Sequence, residues 1–211
     1  MIRSANHAFS HLSKLPLALL GSIFSLGGCA TVNRVEAVNP AHDTRLYAVS
    51  MSRRMVIPTA RDKVFDFVVA ADVLPKVLTG YGPLPAVTGT SEQSGPWDQP
   101  GASRLVHLKD DSTVREQVTG FERPQHFTYQ VWDFTNPIIH RLADKAEGEW
   151  TFASADDGTH IVWTYTFYTD SRWALLPLTT IVNIFWRGYM DVCLDNSRRL
   201  IVQANTVSSA E

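Results

Sequence analysis

Gly158-Thr159-His160-Ile161-Val162-Trp163-Thr164-Tyr165-Thr166-Phe167 is the stretch whose reading decides the fold. Ile161, Trp163, Tyr165 and Phe167 fall on one face and Val162, Thr164 and Thr166 on the other. That period of two is the pattern of an antiparallel strand with one side turned to a core or a cavity. Upstream, Asp156-Asp157-Gly158 offers an Asp-Gly tight turn that joins it as a hairpin to a strand over 146–153. Downstream, the period changes to that of a helix from about 178 to 203, free of charge until Arg187 and then carrying Asp191, Asp195, Arg198 and Arg199. The helix reads as amphipathic rather than membrane-spanning.

Working back from this hairpin, strands are predicted at 126–134, 113–121, 103–109 and 86–93, punctuated by Arg123-Pro124-Gln125, Asp110-Asp111-Ser112 and the turn-rich segment 94–101. Alternation groups Trp132 with Thr128, Gln130 and Phe134, opposite Phe127, Tyr129 and Val131, and does not say which group faces inward. Ahead of a loop at 80–85 come two short helices: one over 63–70, with Thr59 as a cap, and one opened by Asp72 and running through Leu78, with Pro75 in its first turn. A first strand is predicted over 51–57, closed by Pro58. The expected order is one strand, two short helices, six strands and a long helix.

The totals suit an ordinary globular chain: 211 residues, 45% of them hydrophobic and 19% charged. With 19 Lys and Arg against 21 Asp and Glu, there is no basic stripe to serve nucleic acid. The N-terminus departs from this average. Arg3 and Lys14 precede an uncharged run over 15–26, the layout of a secretory signal and shorter than the ~20 apolar residues a spanning helix needs. Leu26-Gly27-Gly28-Cys29 resembles the lipobox of bacterial lipoproteins, which implies cleavage after residue 28 and a lipid on Cys29; a plain secreted protein is the alternative. Ala30 in place of Asp then favours the outer membrane, facing the periplasm. Cys193 is the only other cysteine, so no internal disulfide accompanies a lipidated Cys29, and Cys193 reads as a small buried hydrophobe. Residues 29–50 read as the lipidated end and a tether, 51–206 as the domain and 207–211 as a tail.

This element order resembles the helix-grip fold, and three stretches resemble its SRPBCC superfamily of START-like and polyketide-cyclase-like proteins. They are Ile57 through Phe67, Thr113-Val114-Arg115-Glu116-Gln117-Val118-Thr119 with Pro124 after it, and Trp150-Thr151-Phe152 leading into 158–167. The resemblance implies an α+β domain: a curved seven-stranded antiparallel sheet wrapped around the long helix, leaving an apolar pocket. Members bind lipids, sterols or polyketides and some catalyse cyclisation or dehydration, so the fold does not choose the chemistry.

Trp150, Phe152, Trp163, Tyr165, Phe167, Phe185 and Tyr189 are the candidate ligand-binding residues, offering apolar area with polar tips; mutual packing is the plain alternative. Glu116 shares a face with Val114 and Val118, so it either enters the pocket as an acid-base group or stands as an ordinary solvated or ion-paired carboxylate. His107 is the other weak catalytic candidate; His140, on the connection after the fifth strand, reads as a surface residue. The histidine spacing suits no metal, and no phosphate loop or nucleophile elbow appears, so no cofactor is expected. Trp173-Ala174-Leu175-Leu176-Pro177-Leu178 is either a buried helix start or a segment that meets a bilayer interface. The leading expectation is a membrane-anchored lipoprotein that binds a hydrophobic small molecule or lipid; a cyclase or dehydratase and a non-catalytic envelope scaffold are the alternatives.

Overall fold

The computed structural model describes residues 31–33 and 46–208; the expected signal segment and Cys29 lie outside the described residues. Eight strands form one antiparallel sheet: β1 (Thr31–Asn33), β2 (Tyr47–Ile57), β3 (Val87–Ser91), β4 (Ser103–Leu108), β5 (Thr113–Glu122), β6 (His126–Trp132), β7 (Lys145–Ala155) and β8 (Gly158–Thr169). Their spatial order is β1-β2-β8-β7-β6-β5-β4-β3. Three short helices, α1 (Arg61–Val68), α2 (Leu74–Val77) and α3 (Pro137–Leu142), precede the C-terminal helix. That helix runs as α4 (Leu175–Ile181), a π-helical turn (Val182–Trp186) and α5 (Arg187–Ser208). The expected α+β helix-grip architecture, seven antiparallel strands curved around a long helix, is present.

The differences have identifiable causes. Strand β2 begins at Tyr47 rather than Met51, because Tyr47 to Ser50 pair with Thr169 to Thr166, a long-range pairing the local sequence does not announce. Three residues of the expected tether also join the sheet: Thr31 pairs with Ser50 and Asn33 with Ala48. Thr59 does not cap α1; its hydroxyl accepts from Asn205 Nδ2 at 2.7 Å and its carbonyl from the Thr159 hydroxyl at 2.7 Å, so it ties α1 to β8 and the end of α5. The unexpected α3 starts where Asn136 Oδ1 accepts from the N–H groups of Ile138 and Ile139, with Pro137 preset for the first turn.

The inward faces of the sheet make the core. Met51 and Ile57 of β2, Ile161, Trp163, Tyr165 and Phe167 of β8, and Leu178, Met190 and Leu194 of the helix are buried together. The helix is held in register by Arg53 Nε donating to Asp191 at 2.5 Å and by Asn196 Nδ2 donating to the Val77 carbonyl at 3.0 Å. At the β7–β8 turn, Gly158 sits at φ 126°, and a Cβ there would overlap the Ile57 carbonyl. Gly158→Ala is expected to cost roughly 1–3 kcal/mol, read as a lowered urea midpoint; an unchanged midpoint would show that the turn relaxes freely.

Candidate functional site

Alternation on the central strands and the small residues of β7 together open a space between sheet and helix. In β7 the inward positions are Ala146, Gly148, Trp150 and Phe152, so the strand is thin at one end and bulky at the other. The bulky end is solid: Trp150 stacks on Trp163 at 4.5 Å between centroids and 11° between planes, and Phe152 packs edge-on to Phe65 at 5.1 Å. Over the thin end lies a cavity of about 270 Å³. Its sheet wall is Val106 and Leu108 of β4, Val114 and Glu116 of β5, Tyr129 and Val131 of β6, and Trp163, Tyr165 and Phe167 of β8. The helix contributes Ile181, Phe185, Trp186 and Tyr189. The rim is formed by Pro83-Leu84-Pro85 and by Ile138 and Ile139 of α3. Tyr189 donates to the Pro85 carbonyl at 3.1 Å, fastening that loop to the helix.

One buried charge pair sits in this apolar wall. Glu116 and Arg104 retain 5% and 2% of their surface. Arg104 donates through Nε at 2.8 Å and Nη2 at 2.7 Å to the same Glu116 oxygen, Oε2, and through Nη1 to the Ala71 carbonyl at 2.7 Å. Its guanidinium lies 3.6 Å from the centroid of the Trp97 ring. Both Arg104 contacts fall on Oε2, and Glu116 borders both the main cavity and a smaller one of about 40 Å³. Burial pushes the Tyr165 phenol well above its ordinary range, with the neighbouring Tyr129, Glu116 and Tyr189 adding to the shift. Burial raises Tyr129 and Tyr189 likewise. These phenols therefore stay protonated and each keeps an O–H. Burial also pushes the Cys193 thiol up to about 12, which makes it a packing group and not a nucleophile. The arrangement can enclose an apolar body and offer its hydroxyl an acceptor on Glu116 and a donor on Tyr165.

Of the candidates read from the sequence, Trp163, Tyr165, Phe167, Phe185 and Tyr189 line the cavity. Trp150 borders only the smaller cavity, and Phe152 belongs to the solid core. Glu116 is inward and ion-paired at once. His107 is not brought to the site: it lies on the outer sheet face, its Nε2 2.7 Å from the Ser91 hydroxyl, because Arg104 and Val106 take the inward positions of β4. His140 is exposed on α3. Trp132 is on the outer face with Thr128 and Gln130. Phe134, grouped with it by alternation, turns inward, because Asp133 adopts a left-handed φ of 56° and breaks the period. The segment 173–178 divides: Ala174 and Leu178 are buried, whereas Trp173 and Leu176 keep 83% and 78% of their surface.

Sequence reading missed Trp186. The π-helical turn, in which the Arg187 N–H reaches back five residues to the Val182 carbonyl, brings Trp186 into the lining beside Phe185. A 3.6-residue period carries no signal for it. Tyr129 was legible as a member of an apolar face, and only the direction of that face was open. Among the described residues, no three His, Cys, Asp or Glu side chains gather as a metal set.

The fold is shared with solved structures at low identity. Ara h 8.0201 superposes with a TM-score of 0.55 at 14% identity, covering 74% of this chain and 99% of its own. Ginseng major latex-like protein 151 from Panax ginseng gives 0.56 at 8%, covering 72% and 96%. The di-domain ARO/CYC StfQ of the steffimycin biosynthetic pathway gives 0.58 at 15%, covering 75% of this chain and 52% of its own. No curated protein matches the sequence. The polyketide cyclase/dehydrase and lipid transport family matches residues 48–201, almost the whole of the sheet-and-helix unit described above, and the chain belongs to that family.

Proposed function

We propose that this protein is a lipid-anchored carrier that holds a hydrophobic small molecule or lipid in the cavity between sheet and helix. The observation that carries this reading is the cavity itself, about 270 Å³ and walled by aliphatic and aromatic side chains with one buried carboxylate among them. Ligand pockets commonly run from about 300 to 1,000 Å³, so the ligand is a compact one. A ligand burying about 300 Å² of apolar surface gains about 7.5 kcal/mol gross at ~25 cal/mol per Å², and association costs take back part of it. Affinity then depends on a preformed shape and on the hydroxyl-sized polar site at Glu116 and Tyr165.

The anchoring part rests on Leu26-Gly27-Gly28-Cys29. Pairing of β1 begins two residues beyond Cys29. An acylated Cys29 would thus hold the sheet edge close to the membrane, at the outer membrane on the periplasmic side. A cyclase or dehydratase is the second reading, favoured by Glu116 standing in the cavity wall and by the fold shared with StfQ.

Native mass spectrometry of protein taken from membranes is the test. A co-purifying apolar mass and radioactive palmitate incorporated at Cys29 are expected. Absence of any bound mass would overturn the carrier, and palmitate incorporation persisting in Cys29→Ser would overturn the anchor site. Chemical conversion of the bound molecule, lost in Glu116→Gln, would replace the carrier with the enzyme.

A further inference from the structure

The outer face of the helix that covers the cavity is unlike a solvent face. Among the described residues, the large hydrophobic side chains left exposed are Tyr81, Ile138, Trp173, Leu176 and Ile184. Leu176, Thr180 and Ile184 follow one another at four-residue steps and form a stripe along α4 and the π-helical turn, with exposed Pro177 beside it and exposed Trp173 in the turn just before α4. The opposite side of the same helix is also apolar: Leu178 and Val182 are buried, and Ile181 and Phe185 line the cavity. A helix at a water surface carries charge on its outer face, and one that is apolar all round is surrounded by apolar matter. Ile138 extends the patch across the rim, since it both lines the cavity and keeps 61% of its surface. Tyr81 closes it on the other side, its ring lying where a Cβ on Gly188 would be.

Charge and chain path point to one occupant. Residues 171–190 contain no Asp or Glu, and the stripe is bracketed by exposed Arg172 and Arg187. The Arg172 guanidinium lies 5.7 Å from the centroid of the Trp173 ring. An apolar stripe with an aromatic at one end and arginines at both is matched to the acyl–headgroup boundary of a bilayer with anionic lipid. The chain enters at the same end of the molecule. Tyr47 pairs with Thr169, four residues before Trp173, and β1 pairs with Ala48 to Ser50. One residue, Ala30, separates Cys29 from Thr31, a span of at most about 7 Å. No described helix is long and apolar enough to cross a membrane.

We propose that Trp173, Leu176, Ile184 and Ile138 form a membrane-docking face that seats the cavity mouth on the bilayer, so that an apolar ligand passes between bilayer and cavity without entering water. The proposal rests on the carrier reading for its purpose and on the anchor for its persistence.

The test uses the protein purified from membranes and reconstituted in vesicles of acyl-brominated phosphatidylcholine containing phosphatidylglycerol. Bromine quenches indoles within contact range. The expected result is a quenched, exposed tryptophan component that disappears in Trp173→Phe, together with about tenfold weaker quenching in Leu176→Ser/Ile184→Ser. Both variants alter exposed side chains, so unchanged melting temperatures should accompany them. Acylated protein with no quenched component would overturn docking and leave the anchor standing. Quenching of protein that carries no acyl mass would overturn the anchor and leave docking standing. Dimers in sedimentation that Leu176→Ser converts to monomers, with no quenching, would assign the stripe to a second copy and overturn the proposal.

Discussion

Arg104→Ala should lower the free energy of unfolding by about 3–5 kcal/mol, the cost of leaving a buried carboxylate without its counter-charge. The loss has three parts. Glu116 Oε2 loses two charge-assisted donors at 2.7–2.8 Å, the Ala71 carbonyl loses its donor at 2.7 Å, and the Trp97 ring loses the cation lying 3.6 Å from its centroid. A domain of this kind is stable by only about 5–15 kcal/mol, so the variant should be near the limit of folding. The pair's net worth is a separate matter, because two charges withdrawn from water repay their desolvation poorly. Arg104→Met combined with Glu116→Leu should therefore recover most of the loss. Urea titrations followed by tryptophan emission read both. If the double variant is as unstable as Arg104→Ala, the pair is a net stabiliser and the desolvation argument fails here. If the double variant is stable and binds ligand as before, Glu116 has no part in recognition.

The architecture was legible because its signals are local and periodic. The alternation of Ile161, Trp163, Tyr165 and Phe167 fixes an inward face without knowledge of the partner strands, and all four residues are buried. Strand and helix order follow from where that period changes. The misses arise where a distant partner or an irregular backbone decides. Tyr47 to Ser50 become strand only because Thr166 to Thr169 lie beside them. Thr59 does not cap because α1 begins at Arg61 with Ala60 at its N-cap, and the Thr59 hydroxyl instead accepts from Asn205, far along the chain. Phe134 changes side through one left-handed residue at Asp133, and Trp186 reaches the lining through a π-helical turn.

The site was legible in part for the same reason. Face assignments from period two gave Trp163, Tyr165 and Phe167, and left Glu116 open between the pocket and an ordinary solvated or ion-paired carboxylate. They do not give depth, which depends on what stands on the neighbouring strands. Trp150 and Phe152 share the inward face of β7, yet they meet Trp163 and Phe65 and fill their end of the interior. Ala146 and Gly148 leave the other end of β7 thin, and their small size carries no alternation signal at all.

Gly148 therefore gives the second large effect. It pairs with Tyr129 on one side and Tyr165 on the other, both inward. With no side chain at 148, the Tyr129 ring lies across the strand, and a Cβ there would overlap that ring's Cζ, Cε1 and hydroxyl. Tyr129 is buried against its neighbours, with Phe127 stacked beside it at 5.6 Å, so the direction left to a displaced ring is into the cavity it lines. Gly148→Val should thus cost about 1–3 kcal/mol of stability as an overpacked core position. It should also reduce affinity for an apolar ligand by about a hundredfold, since excluding a ligand group worth ~2.7 kcal/mol has that effect. Equilibrium dialysis against a compact apolar fluorophore such as 1-aminoanthracene reads the affinity, and thermal melts read the stability. Tyr129→Leu placed in the Gly148→Val background removes the displaced ring and should restore binding to within about threefold of the parent. Binding that survives Gly148→Val undiminished would mean that the ligand does not occupy the space over β7, and the cavity would lose its standing as the functional site.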